Sequence, residues 1–214
     1  MPDLSNTSRE DQTRSGPGFN RRNFLKGSSV AVAATAMANA AEEASAQEKK
    51  KANVVPAKPS AVKLEINGKS HTVTVEPRVT LLDVLRDDLN LTGAKEVCDA
   101  SKNCGACTVI IDGKAVYACT KLAHECAGKK ITTVEGLSTS DKIDDVVRCF
   151  VKHDATQCGF CTPGFVVATK AFVNANPGAT LEQIRKGLGG NICRCGTYHG
   201  VTHAALECAQ KGGK

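Results

Sequence analysis

The 214-residue sequence has no tryptophan and few other aromatic residues, with only six Phe and two Tyr. No apolar run is long enough for a stable membrane span, because the longest one is short and rich in alanine. The net charge is only +6, and no dense run of Lys and Arg is interleaved with aromatic residues, so nucleic acid is not an expected partner. Since 41% of the residues are apolar, disorder throughout the chain is excluded. We therefore expect a globular protein without a stable membrane span.

The sequence also lacks the short motifs of several large enzyme classes. It contains no G-x-G-x-x-G, no Walker loop, no G-x-S-x-G and no H-E-x-x-H. The glycine-rich stretch 187–190 is better explained as a helix end and a loop than as a phosphate site. These absences are consistent with a chain that supplies no catalytic acid, base or nucleophile.

The first 48 residues have the layout of an export signal. Arg21 and Arg22 precede Phe24 and a weakly apolar stretch, and small-residue triplets that suit a signal peptidase follow it. The arginine pair resembles the bacterial twin-arginine signal, which predicts export to the periplasm. An amphipathic N-terminal helix with a chance arginine pair is the alternative. Residues 49–61, with four lysines and two prolines, are expected to be a linker.

From residue 62 to residue 137 the pattern is that of a small sheet with one helix. Alternating apolar residues flank Asn67-Gly68 and Asp112-Gly113, which are two-residue hairpin signals. Two hairpins, a helix across them and a cysteine-rich loop predict a β-grasp domain. The predicted strands cover residues 62–66, 71–75, 108–111, 115–119 and 131–134.

Residues 138–214 have a helical period instead, so the fold class is α+β. Thr80 with Asp83 in the first half and Thr180 with Gln183 in the second have the spacing of helix capping boxes. The first box opens a helix that is expected to run on past Leu85. The predicted helices of the second half cover residues 143–153, 164–174, 180–188 and 198–210.

What the sequence has in excess is cysteine, with eleven residues or about 5% of the chain. Eight of them form two sets of four, spaced C-x5-C-x2-C-x11-C and C-x2-C-x31-C-x-C. The first cysteine set is Cys98, Cys104, Cys107 and Cys119. The second cysteine set is Cys158, Cys161, Cys193 and Cys195.

Four thiolates donated from turns suit an iron–sulfur cluster or a zinc ion. The first set differs by one residue from the plant-type [2Fe–2S] spacing, and it has only one of the two short knuckles that structural zinc sites usually show. Disulfides are a further alternative in an exported protein, although Cys193 and Cys195 lie too close to pair with each other and the total is odd. Iron–sulfur clusters are favoured, and zinc and disulfides remain open.

Three motifs then resemble one family, the small iron–sulfur subunits of the molybdenum hydroxylases, which include xanthine dehydrogenase and aldehyde oxidoreductase. They read CGACTV at 104–109, QCGFCTPG at 157–164 and GNICRCGTY at 190–198. The resemblance extends over about residues 62–210. It implies a plant-ferredoxin-like domain followed by a four-helix domain, with one [2Fe–2S] cluster in each.

The resemblance also implies roles for individual residues. The first set would bind the ferredoxin-type cluster, and the second set would bind the cluster nearest the molybdopterin, with Gln157 and Cys195 approaching the pterin. Five residues separate Cys98 from Cys104 where the family has four, and Lys102-Asn103 replaces a glycine-rich stretch. Cys98 is nevertheless expected to be a ligand, since Asp99 is a poorer substitute for a thiolate.

The implied function is electron transfer to and from partner subunits. A large molybdopterin-binding subunit would oxidise the substrate, and electrons would leave through the two clusters to a FAD subunit or a c-type cytochrome. The C-R-C-G-T-Y stretch and the export signal favour an aldehyde oxidoreductase of the periplasm. A hydroxylase of N-heterocycles and a free-standing two-cluster ferredoxin are the alternatives.

Three cysteines lie outside both sets. They are Cys126, Cys149 and Cys208. Free cysteine is among the most buried residue types, so buried structural thiols are the first expectation. A disulfide between subunits and an accessory ligand are the alternatives.

Overall fold

The computed structural model describes residue 55 and residues 57–139 and 141–212. The predicted signal 1–48 and most of the predicted linker lie outside these residues. The described part contains a mixed five-stranded sheet with the order β2-β1-β5-β3-β4. Its strands are β1 (Ser60–Ile66), β2 (Lys69–Val75), β3 (Thr108–Ile111), β4 (Lys114–Tyr117) and β5 (Lys130–Thr132).

The two hairpins form where the sequence predicts them. β1 pairs with β2 and β3 pairs with β4, both antiparallel. At each turn both central residues have positive φ, 53° and 75° at Asn67-Gly68 and 48° and 81° at Asp112-Gly113, as a type I′ turn requires. β5 joins the hairpins, because it pairs parallel to β1 and antiparallel to β3.

Among the residues that the structure describes, five α-helices accompany the sheet. They are α1 (Leu81–Asp83), α2 (Asp145–Lys152), α3 (Thr162–Ala175), α4 (Leu181–Gly187) and α5 (Tyr198–Gln210). The capping boxes predicted at Thr80 and Thr180 are both present. The α+β class is confirmed, and no helix among the described residues is long and apolar enough to cross a membrane.

Many of the predicted bounds differ from the structure by one or two residues, and three elements change or end early for a visible reason. After α1 the chain continues as a π-helical turn, Val84–Asp88, in which the Leu89 N–H donates to the Val84 carbonyl at 3.1 Å. The strand predicted to reach residue 119 ends at Tyr117, because Ala118–Thr120 forms a 3-10 turn. The strand predicted to reach residue 134 ends at Thr132, since the next N–H, that of Thr133, donates to the Asn67 side chain.

The interior consists of one apolar cluster under the sheet and another among the helices. A third, small cluster joins them, in which Ile110 of β3 packs against Val167 and Ala171 of α3. Helix α3 therefore lies against the sheet, and its first turn lies next to the loop before β3. Both cysteine sets are at this junction.

Candidate metal centres

The first cysteine set is assembled by the β3–β4 hairpin and the loop before it. Cys107 directly precedes β3 and Cys119 follows β4, so the antiparallel pairing of Thr108 with Tyr117 brings both cysteines to the same end of the hairpin. The Ala118 N–H donates to the Cys107 carbonyl at 3.2 Å. As a result, the Cys107 and Cys119 thiols lie within hydrogen-bonding reach of each other.

Cys98 and Cys104 form the other half of this set. Although the loop between them is one residue longer than the family pattern, the two thiols lie within hydrogen-bonding reach. The loop turns through three non-glycine residues with positive φ, namely Asp99 at 50°, Ala100 at 54° and Lys102 at 62°. The additional residue is thus absorbed by left-handed backbone, and the Cys98 side chain still faces the other thiols.

The second cysteine set comes from two loops between helices. Cys158 and Cys161 precede α3, and Cys193 and Cys195 lie between α4 and α5. The side chains form two contacting pairs, Cys158 with Cys195 and Cys161 with Cys193. Gln157, predicted to approach a pterin, is exposed beside Cys158.

Within each set the four thiols lie as two contacting pairs. Among the described residues, no group of three or more Cys, His, Asp or Glu side chains is arranged to hold a single metal ion. A structural zinc ion needs four ligands around one centre, whereas a [2Fe–2S] cluster takes four thiolates shared by two irons. None of the eleven cysteines, all of which are described, forms a disulfide.

The pKa values of the thiols differ with burial and hydrogen bonding. Burial raises the pKa of Cys119 to about 12 and that of Cys161 to about 11. At Cys193 burial opposes ionisation, but hydrogen bonds donated by the Thr197 hydroxyl and backbone N–H outweigh it and lower the pKa to about 7. A hydrogen bond from Ser101 is the largest of those that lower the pKa of Cys98 to about 6. Each set thus combines easily ionised thiols with thiols that need a bound cation to ionise.

The two sets are connected by direct hydrogen bonds. The Ile192 N–H, next to Cys193, donates to the Cys104 carbonyl at 2.9 Å. The buried Asn191 side chain donates to the Gly105 carbonyl at 2.8 Å, and the Tyr117 hydroxyl donates to the Gly190 carbonyl at 2.9 Å. These bonds fix the loop of the second set on the loop of the first.

Close backbone contact at this junction depends on glycine. A Cβ atom at Gly105 would lie 2.6 Å from the Gly190 carbonyl oxygen, and one at Gly164 would lie 2.5 Å from the Gly105 carbonyl oxygen. No side chain fits either position unless the backbone moves. The start of α3 and both cysteine loops are therefore packed backbone against backbone.

The second set opens to the surface within an apolar patch. Cys158 and Cys195 are exposed, whereas Cys107 and Cys119 of the first set are buried. Four large apolar side chains that adjoin the cysteine loops are also exposed, at 53%, 52%, 51% and 44% of their surface. These residues, called the apolar rim below, are Val97, Phe160, Ile192 and Tyr198.

Comparisons with known proteins agree with this geometry. Residues 64–138 match the family described as "2Fe-2S iron-sulfur cluster binding domain", and residues 133–206 match the family described as "[2Fe-2S] binding domain". The nicotine 6-hydroxylase small subunit of Paenarthrobacter nicotinovorans is 42% identical over 146 residues, which are 68% of this chain and 87% of the relative. The chain belongs to the family of small iron–sulfur subunits of the molybdenum hydroxylases.

Two further relatives extend the comparison of this iron–sulfur subunit. The aldehyde oxidoreductase iron-sulfur-binding subunit of Escherichia coli strain K12 is 40% identical over 161 residues, covering 68% of this chain and 69% of the relative. A crystal structure of quinoline 2-oxidoreductase from Pseudomonas putida 86 superimposes with a TM-score of 0.67 at 36% identity, covering 73% of this chain and 99% of that chain. Residues 18–38 match the twin-arginine signal family, as predicted. The iron–sulfur subunit is a component of an oxidoreductase and has two [2Fe–2S]-binding domains.

Several residues that shape the two centres in the iron–sulfur subunit were not singled out from the sequence. Thr197 donates to the Cys193 sulfur from its hydroxyl at 3.1 Å and from its N–H at 3.4 Å. Asn191 and Thr197 both lie inside the third motif, so the motif itself was a signal for them. Tyr117 is separated from its acceptor Gly190 by 73 positions, and no local pattern indicates that contact.

The Thr197 hydroxyl is expected to set the reduction potential of the second cluster in the iron–sulfur subunit. Thr197→Val keeps the side-chain shape but removes a hydrogen bond to the Cys193 sulfur. With Cys193 as the cluster ligand that the family resemblance implies, this bond would stabilise the electron added on reduction. At about 0.5–1.5 kcal/mol for such a bond, the potential should become more negative by ~20–60 mV. A redox titration followed by electron paramagnetic resonance (EPR) measures the shift.

Thr202→Val is the matched control, because Thr202 lies in the helix that begins directly after Thr197 and its hydroxyl donates to the carbonyls of Tyr198 and His199, not to a sulfur. Its potential should stay unchanged. Equal shifts in the two variants would contradict the role of Thr197.

Proposed function

We propose that this chain is the electron-transfer subunit of an exported, molybdopterin-dependent aldehyde oxidoreductase. It would receive electrons from a large molybdopterin-binding subunit and pass them to a FAD subunit or a c-type cytochrome. The observation that carries the proposal is the hydrogen-bonded junction of the two cysteine sets, together with the exposure of Cys158 and Cys195 in the second set. Such an arrangement connects an exposed surface at the second set to the first set.

In this proposal all eight cysteines are cluster ligands. The first set holds one cluster and the second set holds the other, with each contacting thiol pair binding one iron. When bound, a [2Fe–2S] cluster takes up and releases one electron at a time. Gln157 and Cys195, both exposed, would lie toward the pterin of the large subunit.

The protein itself supplies a short route between the two sets. From the Cys104 side chain, covalent bonds lead to the Cys104 carbonyl, which accepts the Ile192 N–H at 2.9 Å. From that nitrogen, covalent bonds lead directly to Cys193. Since only one hydrogen bond interrupts the covalent path, the junction holds the two centres at a fixed separation and keeps water out between them.

The apolar rim supports docking of the large subunit at the second set. Exposed apolar side chains that surround a functional opening are typical of protein–protein contact surfaces. Lys95, whose ammonium group lies 5.6 Å from the centre of the Phe160 ring, adds a cation–π contact that holds part of the rim in place. The rim thus offers a preorganised surface around Cys158 and Cys195.

The remaining details of the proposal concern domains and location. A β-grasp ferredoxin domain would extend over residues 62–137 and a four-helix domain over residues 138–214, after a signal at 1–48 and a linker at 49–61. The match at residues 18–38 supports export by the twin-arginine route, and the periplasm is the destination we propose. A route for folded proteins suits a subunit whose clusters are inserted before export.

A second candidate substrate class is an N-heterocycle. The nicotine 6-hydroxylase relative and the quinoline 2-oxidoreductase neighbour are each named for such a substrate. The aldehyde oxidoreductase relative is about as similar. The substrate pocket would belong to the large subunit, so the features of this chain are compatible with both substrate classes.

Isolation of the native complex from the producing cell tests the proposal. The tagged full chain should co-purify with a large subunit that contains molybdenum and a pterin, and the complex should oxidise aldehydes in preference to N-heterocycles. Purification as a monomer with both clusters present would instead indicate a free-standing ferredoxin. Oxidation of N-heterocycles alone would select the second candidate.

A charge on the apolar rim should disrupt this complex. Ile192→Asp places an unpaired carboxylate in the proposed interface, so the recovery of the large subunit should fall by about tenfold or more. The control is Val151→Asp, because Val151 is a 78% exposed apolar residue on α2 outside the rim. Equal recovery with the two variants would rule out the rim as the docking surface.

A further inference from the structure

The two cysteine sets leave three thiols, and two of these are in contact. Cys149 of α2 and Cys208 of α5 are both only 3% exposed, and their thiols lie within hydrogen-bonding reach of each other. Cys126 is buried elsewhere in the protein. The groups that affect its pKa are lysine, glutamate and aspartate side chains, and no other cysteine is among them. All three are therefore buried as expected, but their surroundings differ. We propose that Cys149 and Cys208 form an intramolecular disulfide between α2 and α5 in the exported protein.

The two helices are held side by side by other contacts, so the thiols face each other in a fixed register. Glu207, adjacent to Cys208, accepts from Lys152 of α2 at 2.9 Å and lies 2.6 Å from the His153 ring nitrogen. The Cys208 thiol itself donates to the Asp145 carbonyl at 3.6 Å. These contacts hold Cys208 against α2, where its thiol lies next to that of Cys149.

The inference rests on the proposed export. Disulfides are rare in the reducing cytoplasm and persist in the periplasm. When the chain is exported with its clusters already in place, the eight ligand thiolates are bound to iron. Among the three remaining cysteines, only Cys149 and Cys208 have a thiol neighbour. Among the described residues, the pair is thus the one place where oxidation can form an intramolecular disulfide.

The reaction is a thiol–disulfide exchange, and its oxidant is a disulfide of a thiol oxidase or of a small thiol such as glutathione. One thiolate of the pair attacks the oxidant, which forms a mixed disulfide and releases one thiol. The second thiolate then attacks the Cys149 or Cys208 sulfur of that mixed disulfide and releases the other thiol. One S–S bond forms and one breaks, two electrons pass to the oxidant, and the two protons of the pair end on its thiols.

Burial and the adjacent Cys149 thiol raise the pKa of Cys208. The Cys208 thiol is therefore harder to ionise than an ordinary cysteine thiol. Closure then depends on local opening at the end of α5 and on the supply of an oxidant.

Peptide mapping of the exported complex tests the proposal. The complex is unfolded in acid with a chelator, its free thiols are alkylated, and trypsin then releases Cys149 in peptide 149–152 and Cys208 in peptide 195–211. We expect these two peptides to be joined, with two fewer alkyl groups on the exported chain than on a cytoplasmic precursor retained by Arg21→Lys and Arg22→Lys. Peptide 122–129, which contains Cys126, should be alkylated in both. Eleven alkylated cysteines in the exported chain would overturn the proposal.

A second arm separates this inference from the proposed export. The retained holoprotein is incubated with glutathione disulfide, and the same peptides are mapped. If the Cys149–Cys208 disulfide forms in this arm but the chain is not found in the periplasm, the disulfide site is supported and the proposed location is rejected. No closure with glutathione disulfide and none in the exported chain would reject the site itself.

Thermal unfolding gives an independent measurement. Cys149→Ala should lower the apparent midpoint of the exported protein by about 5–10 °C more than that of the retained protein, because only the exported form loses a cross-link. The loss of the buried side chain itself is common to both forms and cancels in this difference. Cys126→Ala is the matched control and should lower both midpoints equally. An equal effect of Cys149→Ala on the two forms would contradict a disulfide.

Discussion

Replacing Cys193 with alanine should remove the second [2Fe–2S] cluster and stop electron transfer through this subunit. Cys193 is 6% exposed and pairs with Cys161, so under the proposed ligand assignment the substitution would leave an iron with too few ligands. The iron content should fall from about four to about two atoms per chain, and one of two EPR signals should disappear. Turnover of the intact complex should fall by about 100-fold or more, because the route from the large subunit is interrupted.

Two variants make this result specific. Cys126→Ala removes a buried thiol outside both sets and should keep both signals and full turnover. Cys158→Ala removes an exposed member of the second set and should have the same effect as Cys193→Ala without disturbing the interior. Retention of about four irons per chain in both Cys158→Ala and Cys193→Ala would show that the ligand assignment is wrong.

Replacing Gly105 with alanine should separate the two cysteine loops. Gly105 has a φ of +70°, and a Cβ atom there would lie 2.6 Å from the Gly190 carbonyl oxygen and 2.7 Å from the Asn191 amide nitrogen. The left-handed backbone costs about 1 kcal/mol for alanine, and the steric conflict adds ~2–3 kcal/mol. We expect the apparent midpoint of thermal unfolding, followed by the visible circular dichroism of the clusters, to fall by about 6–15 °C.

Gly113→Ala is the control for the backbone part of this effect. Gly113 has a φ of +81°, but nothing lies within 4 Å of a Cβ atom at that position. Its midpoint should fall by only ~2–4 °C, and the difference between the variants measures the packing at the junction. If both variants lose the same amount, the close approach of Gly105 to Gly190 contributes nothing to stability.

The features that sequence predicted well are those determined by neighbouring residues. The helix Tyr198–Gln210 was predicted to the residue, and the capping boxes at Thr80 and Thr180 and the turn at Asn67-Gly68 are present. Each depends on hydrogen bonds over at most a few positions, so a local pattern suffices. The grouping of the cysteines into two sets came from spacing and from a family resemblance, and the structure brings the members of each set together.

The features that sequence did not predict depend on contacts between distant parts of the chain. Three such contacts join residues that no local sequence pattern connects. They are the hydrogen bond from Ile192 to Cys104, the hydrogen bond from Asn191 to Gly105 and the contact of Cys149 with Cys208. The π-helical turn after α1 is another case, since a box at Thr80 indicates where a helix begins and not how it continues. Tertiary packing determines all of these.

The bond between Asn191 and Gly105 spans 86 positions, and this has a consequence for how the protein matures. On the ribosome, the loop with Cys104 emerges long before the segment that covers it. The loop of the first set therefore lacks these hydrogen-bonding partners until nearly the whole chain has been synthesised. Docking of residues 190–193 then fixes the two cysteine loops against each other, so the final geometry of the first set depends on residues that are made late.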